Sequence, residues 1–194
     1  MKVTYTPRRC FYTFLASFFV YKGENNMNQT KKITLSALFI ALGLVLPFVT
    51  MQIPAIGSML LPMHIPVLIC GFVLSCKYGL LVGVITPLLR HLIFGMPPLL
   101  TAITMAFELG AYGFFSGMLY RKLKKNIYLS LILSMLVGRV VWGIASAAIY
   151  GISEFGVSAF IAGGFVNAVP GIILQLILIP ILVKVLKQGG YISE

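Results

Sequence analysis

Polar side chains recur at helical spacing inside segments that are otherwise apolar. Thr101, Thr104, Glu108 and Tyr112 lie three or four residues apart, which puts them on one face of a predicted helix. Charged groups among so many apolar residues need a partner or a ligand. Three further segments carry comparable stripes: Gly79, Gly83, Pro87 and His91, beside Arg90; Arg139, Trp142 and Ser146; and Asn167, Gly171 and Gln175.

These stripes have two interpretations. Small residues let helices approach closely, and a buried Glu108–Arg139 ion pair could simply join two helices. We favour the packing role for Gly79 and Gly83. Four separate polar insertions, however, exceed what packing requires. We therefore expect a ligand site that includes the following residues: Arg90, Glu108, Arg139 and Asn167.

The sequence offers little support for catalysis, metal binding or a cofactor. The cysteines form no CxxC pair, and His64 and His91 lie far apart without an HExxH motif. Glu108 lacks the second carboxylate and the histidine bases that a glutamate protease would want. No Gly-rich phosphate loop is present, so we expect no ATP hydrolysis by this chain. An intramembrane enzyme and a purely structural membrane protein are the competing classes.

The composition is that of an integral membrane protein. Hydrophobic residues make up 59% of the 194 residues and charged residues only 10%, and the mean hydropathy is +1.00. A soluble domain of this length needs far more polar surface. The alternating pattern of a membrane barrel is missing from the sequence, so helices are left to satisfy the backbone in lipid.

We predict an all-α membrane protein, a compact bundle of six transmembrane helices that forms a single domain over residues 27–194. The second span is interrupted early by Pro62 and Pro66, and the segment TMQIPAIGSMLLPMHIP, which is rich in Pro and Gly, is placed to cap a site at the outer side. The spans are about 33–49, 59–75, 78–94, 98–120, 127–150 and 158–183.

Positive charge predicts the orientation of the bundle. The loops opposite the termini carry only Arg90 and Glu154, so the positive-inside rule puts both termini in the cytoplasm. The net charge of +11 therefore reflects topology, and we expect no nucleic-acid partner. The basic residues on the cytoplasmic side are Lys31, Lys32, Lys77, Arg121, Lys122, Lys124, Lys125, Lys184 and Lys187.

Residues 1–26 have a separate interpretation, as a doubtful N-terminal extension. Their apolar run, Cys10–Tyr21, is too short to span a bilayer and resembles the h-region of a signal peptide. The codons for Lys22–Glu24 can form a purine-rich string of the kind that binds bacterial ribosomes, a few codons before Met27. We therefore expect translation to begin at Met27.

Two segments resemble a family of transporter subunits. The first span, TLSALFIALGLVLP, holds Ala37 and Ala41 as AxxxA. The segment MHIPVLICGFVLSCKYGLLVGVITPLLRHLIFG resembles the IP-x-L…G…G-x-x-x-G pattern of the substrate-capture (S) subunits of energy-coupling-factor (ECF) vitamin transporters. The resemblance covers about residues 27–187. It implies a binding protein of the bacterial cell membrane, not an enzyme, that docks on a transmembrane scaffold subunit driven by two ATPase subunits.

The resemblance also implies roles for particular residues. Ala37 and Ala41 would be the docking contact, where small side chains let two helix backbones approach. A carboxylate can pair with arginines, and Trp142 offers an apolar wall. If Glu108 neutralises one arginine, one positive charge remains, which fits pantothenate; a pyridoxine-, pyrimidine- or folate-type solute is the alternative. The expected solute contacts, which converge on the outer half of the bundle, are Arg90, Glu108, Tyr112, Arg139, Trp142, Asn167 and Gln175.

Overall fold

The computed structural model describes residues 28–49, 59–151 and 156–188, and the described chain is helical throughout apart from short turns. The expectations for residues 1–26, for the segment at 50–58 and for Glu154 fall outside this part of the chain. The helices are α1 (Gln29–Val49), α2 (His64–Val73), α3 (Cys76–Phe94), α4 (Leu99–Gly117), α5 (Ile127–Tyr150), α6 (Val157–Ile161) and α7 (Val169–Gln188). Single π-helical turns extend α4 and α6, over Met118–Lys122 and Ala162–Val166.

Five helices of the described chain are long and apolar enough to cross a membrane. A helix needs about 20 apolar residues to span the hydrocarbon core. The prediction of an all-α membrane protein is therefore confirmed. The five segments are Gln29–Phe48, Cys76–Phe94, Leu99–Lys122, Ile127–Tyr150 and Val169–Gln188.

The segment predicted as the second span has a different form. Helix α2 has only 10 residues, a length of about 15 Å, or half of the hydrocarbon core. Pro62 lies in the turn before the helix, and Pro66 lies in its first turn, where a missing N–H costs no hydrogen bond. All of the residues of α2 are buried, so the surroundings of this helix are protein and not lipid.

The segment predicted as the sixth span is interrupted. Helix α6 and its π-helical turn end at Asn167, whose N–H donates to the Ala162 carbonyl at 2.9 Å. Gly163 and Gly164 are poor helix formers. Pro170 has no N–H to continue the ladder, and its ring would clash with the carbonyl four residues earlier. A new helix, α7, therefore begins at Val169.

Helices α2, α3 and α4 pack closely at the centre of the bundle. A Cβ atom on Gly79 of α3 would lie 2.3 Å from the Gly113 carbonyl oxygen of α4, and one on Gly83 would lie 2.3 Å from the Leu109 carbonyl oxygen. Only glycine permits so close an approach of two backbones. The packing role predicted for Gly79 and Gly83 is confirmed. Around this centre, α1 contacts α2 and α3, α5 contacts α4, and α7 contacts α2 and α5.

Candidate functional site

Three buried polar side chains from α2, α4 and α5 meet at a carboxylate oxygen of a fourth. Oε1 of Glu108 lies 2.9 Å from Nη1 of Arg139 and 3.4 Å from Nε2 of His64. The Tyr112 hydroxyl donates to the same oxygen at 3.1 Å. Each of the four residues is at most 5% exposed. We call His64, Glu108, Tyr112 and Arg139 the polar cluster.

Local sequence explains how the polar cluster forms. Glu108 and Tyr112 are four residues apart on α4, so the hydroxyl stands directly over the carboxylate. Gly138 lets α5 approach, because a Cβ atom there would lie 2.2 Å from a Tyr112 ring carbon. The next residue of α5, Arg139, then reaches Glu108. His64 begins α2, and its ring centroid lies 5.1 Å from that of Tyr112.

The polar cluster is balanced in charge but incompletely hydrogen-bonded. The Arg139 guanidinium neutralises the Glu108 carboxylate, and His64 adds a charge only when protonated. Among the residues that the structure describes, Nη2 of Arg139 and both ring nitrogens of His64 have no hydrogen-bond partner of good geometry. Buried polar atoms are nearly always paired, so these atoms keep the capacity to hydrogen-bond a further group.

Gln175 is a further buried polar residue, on α7. A Cβ atom on Gly171 would lie 2.5 Å from the Met59 carbonyl oxygen, so this turn of α7 abuts the chain just before α2. Gln175 follows Gly171 one helical turn later, about 6 Å along α7. Its side chain is 1% exposed, and neither amide atom has a hydrogen-bond partner within the described chain.

The structure places Arg90 away from the polar cluster. Its side chain is buried, and Nη1 donates to the Leu44 carbonyl of α1. The guanidinium carbon lies 5.2 Å and 5.3 Å from the ring centroids of Phe48 and Phe94. The structure therefore does not bring the two expected arginines together, and Arg90 joins α3 to α1.

Two other expected solute contacts lie outside the polar cluster. Trp142 is half-buried and stacks on Phe160, with 6.2 Å between ring centroids. Asn167 is exposed at the break before α7. Of the seven residues expected from sequence, Glu108, Tyr112 and Arg139 are brought into contact, and Gln175 is buried on α7.

The structure also describes the expected docking residues and the first threonine of the α4 stripe. Ala37 and Ala41, the expected docking residues, are both exposed on α1. At the Thr101 end of the α4 stripe, Thr101 Oγ1 lies 3.2 Å from the Tyr150 hydroxyl oxygen. No group of three or more His, Cys, Asp or Glu side chains within the described ranges is arranged to hold a metal ion.

His64 was not predicted as a site residue, because the histidines were tested only as metal ligands or general bases. A usable signal was present in the sequence. His64 is an ionisable residue within a run of apolar residues, MLLPMHIPVLIC, and such a residue inside a membrane protein needs a partner for the same reason as Glu108.

Comparison with known proteins identifies one family. The family model for the ECF transporter, substrate-specific component, matches residues 31–183 of the 194. No curated protein and no solved structure matches the chain. Together with the five apolar helices, the match makes this a multi-pass protein of the cell membrane that takes part in transport by binding a substrate.

Proposed function

The chain belongs to the ECF transporter substrate-specific components, and we propose that it captures a small vitamin-like solute at the polar cluster. The observation that carries this proposal is that Arg139 uses Nη1 for its ion pair with Glu108, while its buried Nη2 has no hydrogen-bond partner among the described residues. The solute lies between α2, α4, α5 and α7 and contacts Glu108, Tyr112, Arg139 and Gln175, with His64 as an additional contact. It arrives from the outer side, and both termini of the six-helix bundle lie in the cytoplasm.

Pantothenate is the proposed solute. Its carboxylate would accept from Nη2 of Arg139, while Glu108 keeps Nη1. The site attracts a carboxylate less strongly than two arginines with one glutamate would, because Arg90 is hydrogen-bonded to α1 instead.

The position of Arg90 favours a second candidate class of solute. With Arg90 held elsewhere, the polar cluster has no excess positive charge when His64 is neutral. A charge-balanced site suits a neutral ring, such as a pyrimidine- or pyridoxine-type solute; a folate-type solute is a further alternative.

We propose that the partner-docking surface is separate from the solute site. Ala37 and Ala41 are exposed on α1, four residues apart on one face, whereas the polar cluster lies on α2, α4 and α5. The two alanines would contact the transmembrane scaffold subunit of an energy-coupling module with two ATPase subunits, because small side chains let helices pack closely.

A binding experiment on the purified full chain tests the proposal. Solutes that copurify are identified by mass spectrometry, and isothermal titration then measures binding of pantothenate, pyridoxine, uracil and folate without ATP. We expect saturable binding of one solute per chain. Catalytic turnover of a bound compound would instead favour an intramembrane enzyme, and the absence of any saturable solute would reject the proposal.

A further inference from the structure

We infer that Gln175 binds a neutral part of the solute in which a hydrogen-bond donor and an acceptor lie side by side, as on the edge of a lactam ring. This inference rests on the proposed capture of a solute at the polar cluster. It adds the chemical group that the solute must carry, and so it selects among the candidate solutes.

The surroundings of Gln175 are apolar. Ile172, Leu178 and Ile179 of α7, the neighbours of Gln175 at helical spacing, belong to or pack against the hydrophobic core that contains Met63 and Tyr112. Both amide atoms of Gln175 are buried and have no hydrogen-bond partner within the described residues. A primary amide in such a place carries a desolvation penalty that a partner must offset.

The chemistry of the primary amide defines that partner. Oε1 accepts and Nε2 donates, on adjacent atoms of one plane. A carboxylate can pair only with Nε2, and an ammonium only with Oε1. A group with N–H beside C=O satisfies both atoms at once. The ion pair of Glu108 and Arg139 already balances its own charge, so a neutral group is the better match at this depth.

Two of the candidate solutes carry such a group, since uracil has lactam edges and the pterin ring of folate has one. Pyridoxine has none, and the trans internal amide of pantothenate directs its N–H and C=O to opposite sides, so it cannot pair with both amide atoms of Gln175. Binding of uracil is compared with that of 1,3-dimethyluracil, which keeps the carbonyls but has lost both N–H donors. We expect 1,3-dimethyluracil to bind about tenfold or more weakly than its parent solute, uracil.

Variants of the full chain in detergent provide the second half of the test. Gln175→Leu removes both hydrogen-bonding atoms and fits the apolar surroundings. We expect its affinity for the parent solute to fall about tenfold or more, while the melting temperature of the solute-free protein stays the same or rises. Gln188→Leu, at the exposed end of α7, is the matched control and should change neither.

The outcomes separate the inference from the proposal on which it rests. A lower melting temperature for solute-free Gln175→Leu would mean that Gln175 binds another part of the chain, such as residues 50–58, and would overturn the inference. Unchanged affinity in Gln175→Leu, or tight binding of pyridoxine or pantothenate alone, would also overturn it while leaving solute capture intact. If the wild-type chain binds no solute, both fall.

Discussion

Glu108 is the residue at which the side chains of the polar cluster converge. Its Oε1 atom is shared by Arg139, His64 and Tyr112. An ion pair at this depth can serve either to join two helices or to bind a solute, and the two roles differ in what survives when both charges are removed. Replacing a whole buried pair is often neutral for folding, whereas removing one partner leaves a buried charge unpaired.

Variants of this pair should therefore distinguish the two roles. Arg139→Ala should destabilise the protein by about 3–5 kcal/mol and weaken solute binding by about 2–5 kcal/mol. The double variant Glu108→Gln with Arg139→Gln should recover the melting temperature but not the affinity, because the solute still lacks its guanidinium partner. Thermal unfolding and titration calorimetry measure the two quantities. Full affinity in the well-folded double variant would reduce the pair to a structural contact.

For Arg90 we expect a loss of stability without a loss of affinity. It donates to the Leu44 carbonyl and stands over Phe48 and Phe94, so Arg90→Met should cost about 2 kcal/mol of stability through lost hydrogen-bond and cation–π contacts. The affinity of the folded variant should stay within about twofold of wild type. A large loss of affinity at unchanged melting temperature would restore Arg90 to the solute site.

The two arginines show how far sequence patterns reach at this scale. The spacing of Glu108 and Tyr112 along α4 predicts a shared face, and an arginine on the adjacent helix is a natural partner for the carboxylate. Which group the Arg90 side chain contacts depends on where α1 packs against α3, and the spacing of residues along one helix does not predict that. His64 begins α2, and the position of this short helix against α4 is likewise set only by tertiary packing.

At the scale of elements, hydropathy predicts long helices well and short buried ones poorly. The expected spans near α1, α3, α4 and α5 correspond to helices that are long enough to cross a membrane. Helix α2 has the same apolar composition but only 10 residues. Hydropathy mistakes it for a span because composition does not tell whether apolar residues face lipid or protein. The interruption before α7 has local causes in Gly163, Gly164 and Pro170.

Helix α1 carries the prediction about docking. Ala37→Trp or Ala41→Trp should abolish uptake while leaving affinity nearly unchanged, since a bulky side chain on an exposed face blocks helix–helix contact without reaching the polar cluster. Ile144→Trp on α5, where the wild-type side chain is 66% exposed, is the matched control and should transport normally. Uptake of labelled solute into cells and binding to the purified chain measure the two effects. Normal uptake by both alanine variants would remove the docking assignment.

At the scale of the whole molecule, the polar cluster is so buried that binding a solute and releasing it must be different steps. Its side chains are at most 5% exposed and belong to α2, α4 and α5. The close backbone contact between α3 and α4 at Gly79 and Gly113 holds α4 rigidly in place. A solute bound there can leave only if helices or connecting segments move. Such a movement needs free energy to be directional, and the sequence offers no nucleotide-binding loop to supply it.

Reconstitution in liposomes should therefore give binding without accumulation when the chain is alone. We expect the purified chain to retain about one solute per chain, with no effect of ATP. Adding a transmembrane scaffold subunit and two ATPase subunits, with ATP, should drive the internal solute concentration above the external one. A scaffold module with inactive ATPases is the control for passive leak. Concentrative uptake by the chain alone, or ATP hydrolysis by it, would contradict the division of labour, because either result would require an energy-coupling site within this bundle.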